Sequence, residues 1–278
     1  MNLTAIGPTV WKVDLASGPS VVKIRRTSPR LLREQTVLQS LAHVGVPTEE
    51  LLDIWPLDGD HALCRFSYVE GAPWPLDTAM TDAQQVGRLI GTLHYGLDTV
   101  ADENGDPGGN LPDTILHSIV PGLVQTGHPT LMALTEQLLD VEDALWALQE
   151  LPRQRIHRDA HIGNMLFRGS TFAGWVDFDR VETNFRIFDV SYYAAGLLAA
   201  QFINVAWRTQ WTSAVETMVE AYGEVMNLVP AEVEAVWMAM IAIEALFVGI
   251  VAQRDPQAAD GTAAICRWLF EQRHRWRV

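Results

Sequence analysis

The stretch IHRDAHIGNML, residues 156–166, decides how the rest of the chain is read. Asp159 and Asn164, five residues apart, sit in a short polar loop between apolar segments, so the loop is expected to be exposed and constrained. A carboxylate in such a loop can accept a proton from a hydroxyl group. The asparagine side chain offers a neutral oxygen of the kind that coordinates a hard cation beside phosphates. Downstream, NMLF and FAGWVDF read as a strand pair around the turn RGST, which leaves Asp177 at a strand end with Asp179 two positions on and pointing the same way. Carboxylates at a strand end suit magnesium.

Working outward toward the N-terminus, residues 9–26 read as a hairpin: TVWKVDL, the turn signal ASGPS, then VVKIRR. Lys23 is flanked by branched apolar residues in the second strand. Pro29 opens a helical stretch, RLLREQTVLQSLAHV, that closes before Gly45 and Pro47. Leu31, Leu38 and Leu41 mark its buried face, and Glu34 falls on that face by spacing. A buried carboxylate needs a partner, and Lys23 offers one. Read singly, Lys23 also fits a solvated strand-edge residue and Glu34 an exposed helix position. The runs LLDIWPL and ALCRFSYV are strand-like, and EGAPWP, with one glycine and two prolines, reads as a hinge. From Thr81 onward helical periodicity dominates, with Val86, Leu89, Ile90, Leu93 and Leu97 on one face. Further helices are expected near 130–150, 190–206, 209–227, 231–252 and 262–275, and a loop at 101–110. The layout is α+β: a small β-rich lobe over residues 1–70, then a larger, mostly helical lobe over 71–278; the resemblance described below implies that the first binds nucleotide and the second holds the catalytic loop and substrate site.

Composition bounds the function. Of 278 residues, 48% are apolar and 19% charged, enough to bury a core without disulfide or metal staples. The two cysteines, Cys64 and Cys266, lack zinc or redox spacing, which fits a reducing compartment. The opening residues carry neither a basic region nor a continuous apolar one, so a cytoplasmic protein is expected. Residues 235–252 approach membrane-spanning length, but Glu244 in their middle points to a buried core helix and no membrane. A net charge of −14 argues against a nucleic-acid surface and is compatible with a cationic small substrate. The basic, aromatic segment RWLFEQRHRWRV at the end reads as a solvated amphipathic helix. His157 and His161 lie four apart like a zinc pair, but the glutamate of that motif is missing. Tyr192, Tyr193 and Trp175 fit either a core or a pocket wall.

In order, the candidates are a strand lysine, a helix glutamate, H-R-D with a downstream asparagine, and a metal-binding aspartate, which is the protein-kinase set. Yet only eleven residues lie between Asp177 and Asp189, too few for a long activation segment, and no G-x-G-x-x-G precedes Lys23. Gly7 and Pro8 are the candidates for a phosphate-covering turn. The pattern resembles the aminoglycoside phosphotransferase-like family, which includes choline and homoserine kinases. VVKIRR, the Glu34 helix, FSYVEG, LIGTLH, IHRDAHIGNML, WVDFD and FDVSYY carry the resemblance across residues 11–195. It implies a protein-kinase-like two-lobed fold and transfer of the γ-phosphate of ATP, with Mg²⁺, to a hydroxyl of an aminoglycoside, amino alcohol, amino acid or sugar. It implies Asp159 as catalytic base, Asn164 and Asp177 as metal ligands, and Lys23 on the phosphates with Glu34 as its partner. Tyr68, Val69 and Glu70 would form the hinge that meets adenine. Arg158 stands where members commonly have glycine, Ile162 where proline is frequent, and NFRIFD replaces a D-P-x-x-D turn. Asp189 is expected to cap the next helix or fix the loop. The rival reading is a nucleotide-binding pseudokinase without turnover.

Overall fold

The computed structural model describes residues 2–100 and 108–273. Strands β1 (Asn2–Gly7), β2 (Val10–Leu15) and β3 (Gly18–Arg26) run antiparallel in sequence order, and beyond β3 lie β5 (His61–Ser67) and then β4 (Leu51–Pro56). The β2–β3 turn needs Gly18, whose φ of 113° is open to few other residues. β1 was not anticipated, because its residues are exposed and alternate no apolar face. Between β3 and β4, α1 (Pro29–His43) starts on proline and buries Leu31, Glu34, Val37, Leu38 and Leu41 along one stripe.

The larger part is helical. It runs through α2 (Leu76–Thr81) and α3 (Ala83–Asp98), then α4 (Leu111–Thr114), a π-helical turn over Ile115–Ile119, α5 (Val120–Gln125), α6 (Pro129–Leu139) and α7 (Glu142–Ala147). After two short strand pairs come α8 (Phe188–Ala200), α9 (Val205–Met226), α10 (Pro230–Ala252) and α11 (Ala259–Gln272). The helix expected at 130–150 is two helices that break at Asp140 and Val141. Residues 111–125 are helical despite Pro121 and Gly122: the π-helical turn runs up to Pro121, with the Val120 N–H donating to the Ile115 carbonyl, and this wider turn accommodates the donor that proline lacks. Residues 101–107 of the expected loop, and residues 274–278 of the last helix, lie outside the described residues.

Small residues bring α3 and α9 together: a Cβ added at Gly87 would lie 2.1 Å from the Met218 carbonyl oxygen. α10 is long and apolar enough to cross a membrane, and it packs against α8 and α11 with Trp237 Nε1 donating to the Leu269 carbonyl at 2.7 Å. Two short antiparallel pairs interrupt the helices, β6 (Arg153–Ile156) with β9 (Glu182–Phe185) and β7 (Met165–Arg168) with β8 (Thr171–Trp175).

The β7–β8 hairpin is the joint between the parts. Ala72 and Phe167 exchange both backbone hydrogen bonds, at 3.0 and 2.9 Å, and the Trp74 ring stacks on Phe167 with centroids 3.7 Å apart. Gly71 allows this approach, since a Cβ there would sit 2.9 Å from the Phe167 carbonyl oxygen. On the other strand, Trp175 donates to the Pro47 carbonyl and accepts from Glu49, each at 3.0 Å. The segments leading into β4 and out of β5 are therefore both tied to the hairpin that carries Asp177.

Candidate active site

The loop from His157 to Asn164 connects β6 to β7 and is held from beneath by Asp189. That carboxylate, fully buried in the first turn of α8, accepts from the backbone N–H of His157 (2.7 Å) and of Arg158 (2.9 Å), and from His94 Nε2 (2.9 Å). Burial by itself would raise its pKa, but the hydrogen bond and charge of His94 hold it below the usual carboxylate value. Asp189 thus fixes the loop, as expected. Arg158 takes φ 70°, the left-handed conformation that glycine enters freely and other residues at a cost of about 1–2 kcal/mol. Its guanidinium offsets that cost by pairing with Glu182 at 2.7 Å and lying 4.0 Å over the Phe188 ring. His157 is buried, which pushes its pKa down, and its Nε2 donates to the Val176 carbonyl at 3.1 Å. His161 Nδ1 accepts from the Gly163 N–H at 2.9 Å, so the two histidines serve the loop rather than a shared metal.

Asp159 and Asn164 are brought together as the spacing suggested. Asn164 Nδ2 donates to the Asp159 carbonyl at 2.9 Å, and the Asn164 carbonyl accepts from Val176 N–H at 3.1 Å, which places it beside the residue preceding Asp177. Oδ1 of Asp159 accepts from the Tyr192 hydroxyl at 2.8 Å; Arg180 Nε and His161 Nε2 lie 3.9 and 4.0 Å from Oδ2. Tyr192 reaches it from α8 with its ring between Phe188 and Phe247, while Tyr193 and Trp175 are core. Burial, then the Asp159 charge, push the Tyr192 hydroxyl pKa well up, so it stays a proton donor to the carboxylate.

Lys23 comes from the sheet to meet the hairpin. It is buried, with Nζ 2.9 Å from Glu49 Oε1 and 3.2 Å from Asp177 Oδ1. Burial works to lower its pKa, but Glu49 and Asp177 override this and the net shift is upward. The expected Lys23–Glu34 pair needs correcting on this point. Lys23's ion pairs are with Glu49 and Asp177, and the cation nearest Glu34 is Arg25, whose Nη2 is 3.9 Å from Glu34 Oε1. The reason is topological: the bond from Glu49 N–H to Trp175 carries Glu49 to the end of β8, where it also accepts from the Asp177 N–H at 2.6 Å. Nothing in PTEELLDIW distinguishes Glu49 from a solvated acid preceding a strand. Glu34 is buried as its spacing predicted, and burial pushes its pKa up to about 7 against the opposing pull of Arg25.

Asp177 lies past β8 at φ 70°. Arg25 spans it and its neighbour, Nη2 to Asp177 at 2.7 Å and Nη1 to Asp179 at 2.5 Å. Although burial would raise the Asp177 pKa, Lys23 and Arg25 bring it down to about 2. Glu49, Asp177 and Asp179 meet Lys23 and Arg25 here, with Glu34 buried beside them, a surplus of carboxyl groups that suits a cation. No group of three or more His, Cys, Asp or Glu side chains among the described residues forms a complete metal cage. Magnesium needs no such cage, since it keeps water and phosphate oxygens and takes one or two carboxylates from the protein. Asp177, Asp179 and Asn164 fit that requirement.

Tyr68, Val69 and Glu70 follow β5 and line a cleft of about 310 Å³ together with Thr48, Ser67, Arg168 and Ala173. Its walls thus come from both the sheet and the β7–β8 hairpin.

A lysine on an antiparallel sheet meeting an aspartate just past a hairpin in a helical lobe defines a protein-kinase-like fold. Residues 4–235 match the model of the phosphotransferase enzyme family, and the chain belongs to that family. No curated protein sequence matches the chain. Among solved structures it is similar to an amicoumacin kinase in complex with AMP-PNP and Ca²⁺, with 16% identity, a TM-score of 0.70, and coverage of 99% of this chain and 88% of the other. An aminoglycoside phosphotransferase from Alicyclobacillus acidocaldarius gives 13%, 0.71, 99% and 90% in the same order. A choline/ethanolamine kinase family protein from Mesorhizobium loti gives 18%, 0.65, 99% and 91%.

Proposed function

We propose that this chain is a cytoplasmic, ATP-dependent kinase that transfers the γ-phosphate to a hydroxyl of a small molecule: an aminoglycoside, amino alcohol, amino acid or sugar. The observation that carries this reading is the Lys23–Asp177 contact of 3.2 Å, which joins residues 154 apart in sequence beside the loop bearing Asp159 and Asn164. The amicoumacin kinase complex with AMP-PNP supports a nucleoside triphosphate as donor.

In this reading Asp159 orients the acceptor hydroxyl and takes its proton as the new O–P bond forms, and the bond between the γ-phosphorus and the β,γ-bridging oxygen breaks with its electrons leaving on ADP. Tyr192 holds the Asp159 carboxylate in place. Lys23 steadies the α- and β-phosphates, with Glu49 in the partner's role earlier assigned to Glu34, whose part is indirect. Tyr68, Val69 and Glu70 offer backbone to the adenine, and the boundary between the lobes falls near residue 70. Asn164 and Asp177 hold Mg²⁺, with Asp179 beside them; when bound, the ion neutralises charge on the phosphates. Neither nucleic acid nor a membrane has a part in this reading.

ADP release measured with Mg²⁺ against aminoglycosides, choline, ethanolamine, homoserine and amino sugars tests it. Asp159→Asn is expected to lower turnover with the responding acceptor by about 10²–10⁴-fold with nucleotide binding nearly intact. Unchanged turnover in that variant overturns the assignment of the base. The β1–β2 turn carries only Gly7, and this favours the second reading, a nucleotide-binding module without turnover. ATP raising the melting temperature with no acceptor turned over is the outcome that would select it.

A further inference from the structure

Arg25 has no part in the chemistry just described, yet it occupies the centre of the charged cluster. It stands two residues from Lys23 on β3, and therefore on the same face. Its fork spans Asp177 and Asp179, and two neighbouring polar atoms are left over: its own Nε and Glu34 Oε1 are both buried without a hydrogen-bond partner. A buried donor and a buried acceptor, each unsatisfied on side chains that already approach to 3.9 Å, are an uncommon and costly combination. They mark a pairing that the present arrangement leaves unmade. Glu34 is 3% exposed, and Arg25 is the cation that stands within ion-pair distance of it among the described residues.

We propose that Arg25 is a placeholder for the divalent cation: it bridges Asp177 and Asp179 while the metal is away, and turns onto Glu34 when the cation takes those carboxylates. The inference rests on the reading of Asp177 as a metal ligand. One guanidinium between two carboxylates fills the space and supplies the positive charge that a bridging ion would, so the two are mutually exclusive there. As part of the chain, Arg25 competes without any loss of translational freedom. Glu34 then works as its second seat. By holding the displaced guanidinium, it lowers the energy needed to clear the metal position. This gives a buried glutamate on α1 a function that does not require contact with Lys23.

Mn²⁺ binding, with and without AMP-PNP, followed by calorimetry and by the paramagnetic signal of the ion, tests this without turnover. Arg25→Gln removes the competitor and is expected to tighten Mn²⁺ binding about tenfold, the equivalent of one charged hydrogen bond. Glu34→Gln removes the second seat and is expected to weaken Mn²⁺ binding several-fold. In the double variant the Glu34→Gln effect should vanish, because no guanidinium remains to be displaced. Arg25→Lys, which keeps the charge but cannot bridge both carboxylates, should fall between wild type and Arg25→Gln, and serves if Arg25→Gln fails to fold. Weaker binding in Arg25→Gln or Arg25→Lys overturns the proposal, as does a Glu34→Gln effect that persists without Arg25. Wild-type protein whose Mn²⁺ binding is absent, or survives Asp177→Asn, overturns the metal-site reading and this inference with it. Binding that Asp177→Asn abolishes, with no Arg25–Glu34 coupling, removes the inference alone.

Discussion

Glu244 offers a test of how dry the helical lobe is. It lies mid-way along α10 at 2% exposure, with no cation within ion-pair distance among the described residues, and burial pushes its pKa from 4.5 up to about 8. The sign follows from the raised value. Below pH 4.5 both folded and unfolded chains hold the proton, and the group costs nothing. Between 4.5 and 8 the unfolded chain releases it while the folded chain keeps it, so stability falls by up to about 1.4 kcal/mol per pH unit. Above 8 the loss is complete. From pH 5.5 to 7.5 this amounts to about 2.5 kcal/mol. Glu244→Gln removes the titration and leaves the shape nearly unchanged. Urea unfolding of both proteins, read by tryptophan fluorescence at pH 5.5 and 7.5, should therefore show the variant gaining about 2–3 kcal/mol on wild type between the two conditions. Packing changes from the amide are the same at both pH values and cancel in that difference. Glu34, whose raised pKa of about 7 acts with the same sign, is present in both proteins and cancels as well. A difference that stays within about 0.5 kcal/mol across the two pH values would mean that Glu244 is solvated or paired, and would refute the reasoning.

Two further perturbations test the scaffold. Asp189→Ala leaves the backbone donors of His157 and Arg158 and the His94 ring without their acceptor. Chemical denaturation should show a loss of about 3–5 kcal/mol, and a loss under about 1 kcal/mol would contradict the loop-anchoring role. Gly87→Ala drives a methyl group into the Met218 carbonyl and must separate α3 from α9, a cost of about 1–3 kcal/mol or more. Gly196, exposed on α8 with nothing near its added Cβ, is the control: Gly196→Ala should stabilise by about 0.5–1 kcal/mol in the same assay. Equal effects from the two substitutions would show that helix propensity, not close approach, governs both sites.

The fold was legible where local periodicity and punctuation carry it. The β2–β3 hairpin, α1, the β7–β8 pair and the long helices α3, α9 and α10 lie close to the spans their patterns predicted. β1 went unread because an exposed edge strand needs no apolar alternation. The helices over 111–125 went unread because Pro121 and Gly122 read as helix breakers, and the π-helical turn that accommodates the proline has no signature in the sequence. The long apolar run of α10 was ambiguous by composition. Its packing against α8 and α11 decides that it is a core helix here, and the chain tolerates Glu244 in that core because the carboxyl can stay protonated.

By itself the sequence determined which chemical groups the site contains and in what order. H-R-D, the asparagine five residues on, D-F-D and the strand lysine are short-range patterns, and a loop or a strand end presents its side chains in a way that spacing dictates. Tertiary structure alone decided how those groups are paired. Glu49 beside Lys23, Arg25 across Asp177 and Asp179, Tyr192 on Asp159 and Asp189 beneath the loop join residues from 26 to 154 positions apart. Charge–charge energies depend on distance and on burial, and neither exists until the sheet docks against the hairpin. The glutamate on the expected helix face was therefore readable, but whether it would answer to Lys23 or to Arg25 was set by where Glu49 lands when Trp175 pairs with the segment before β4.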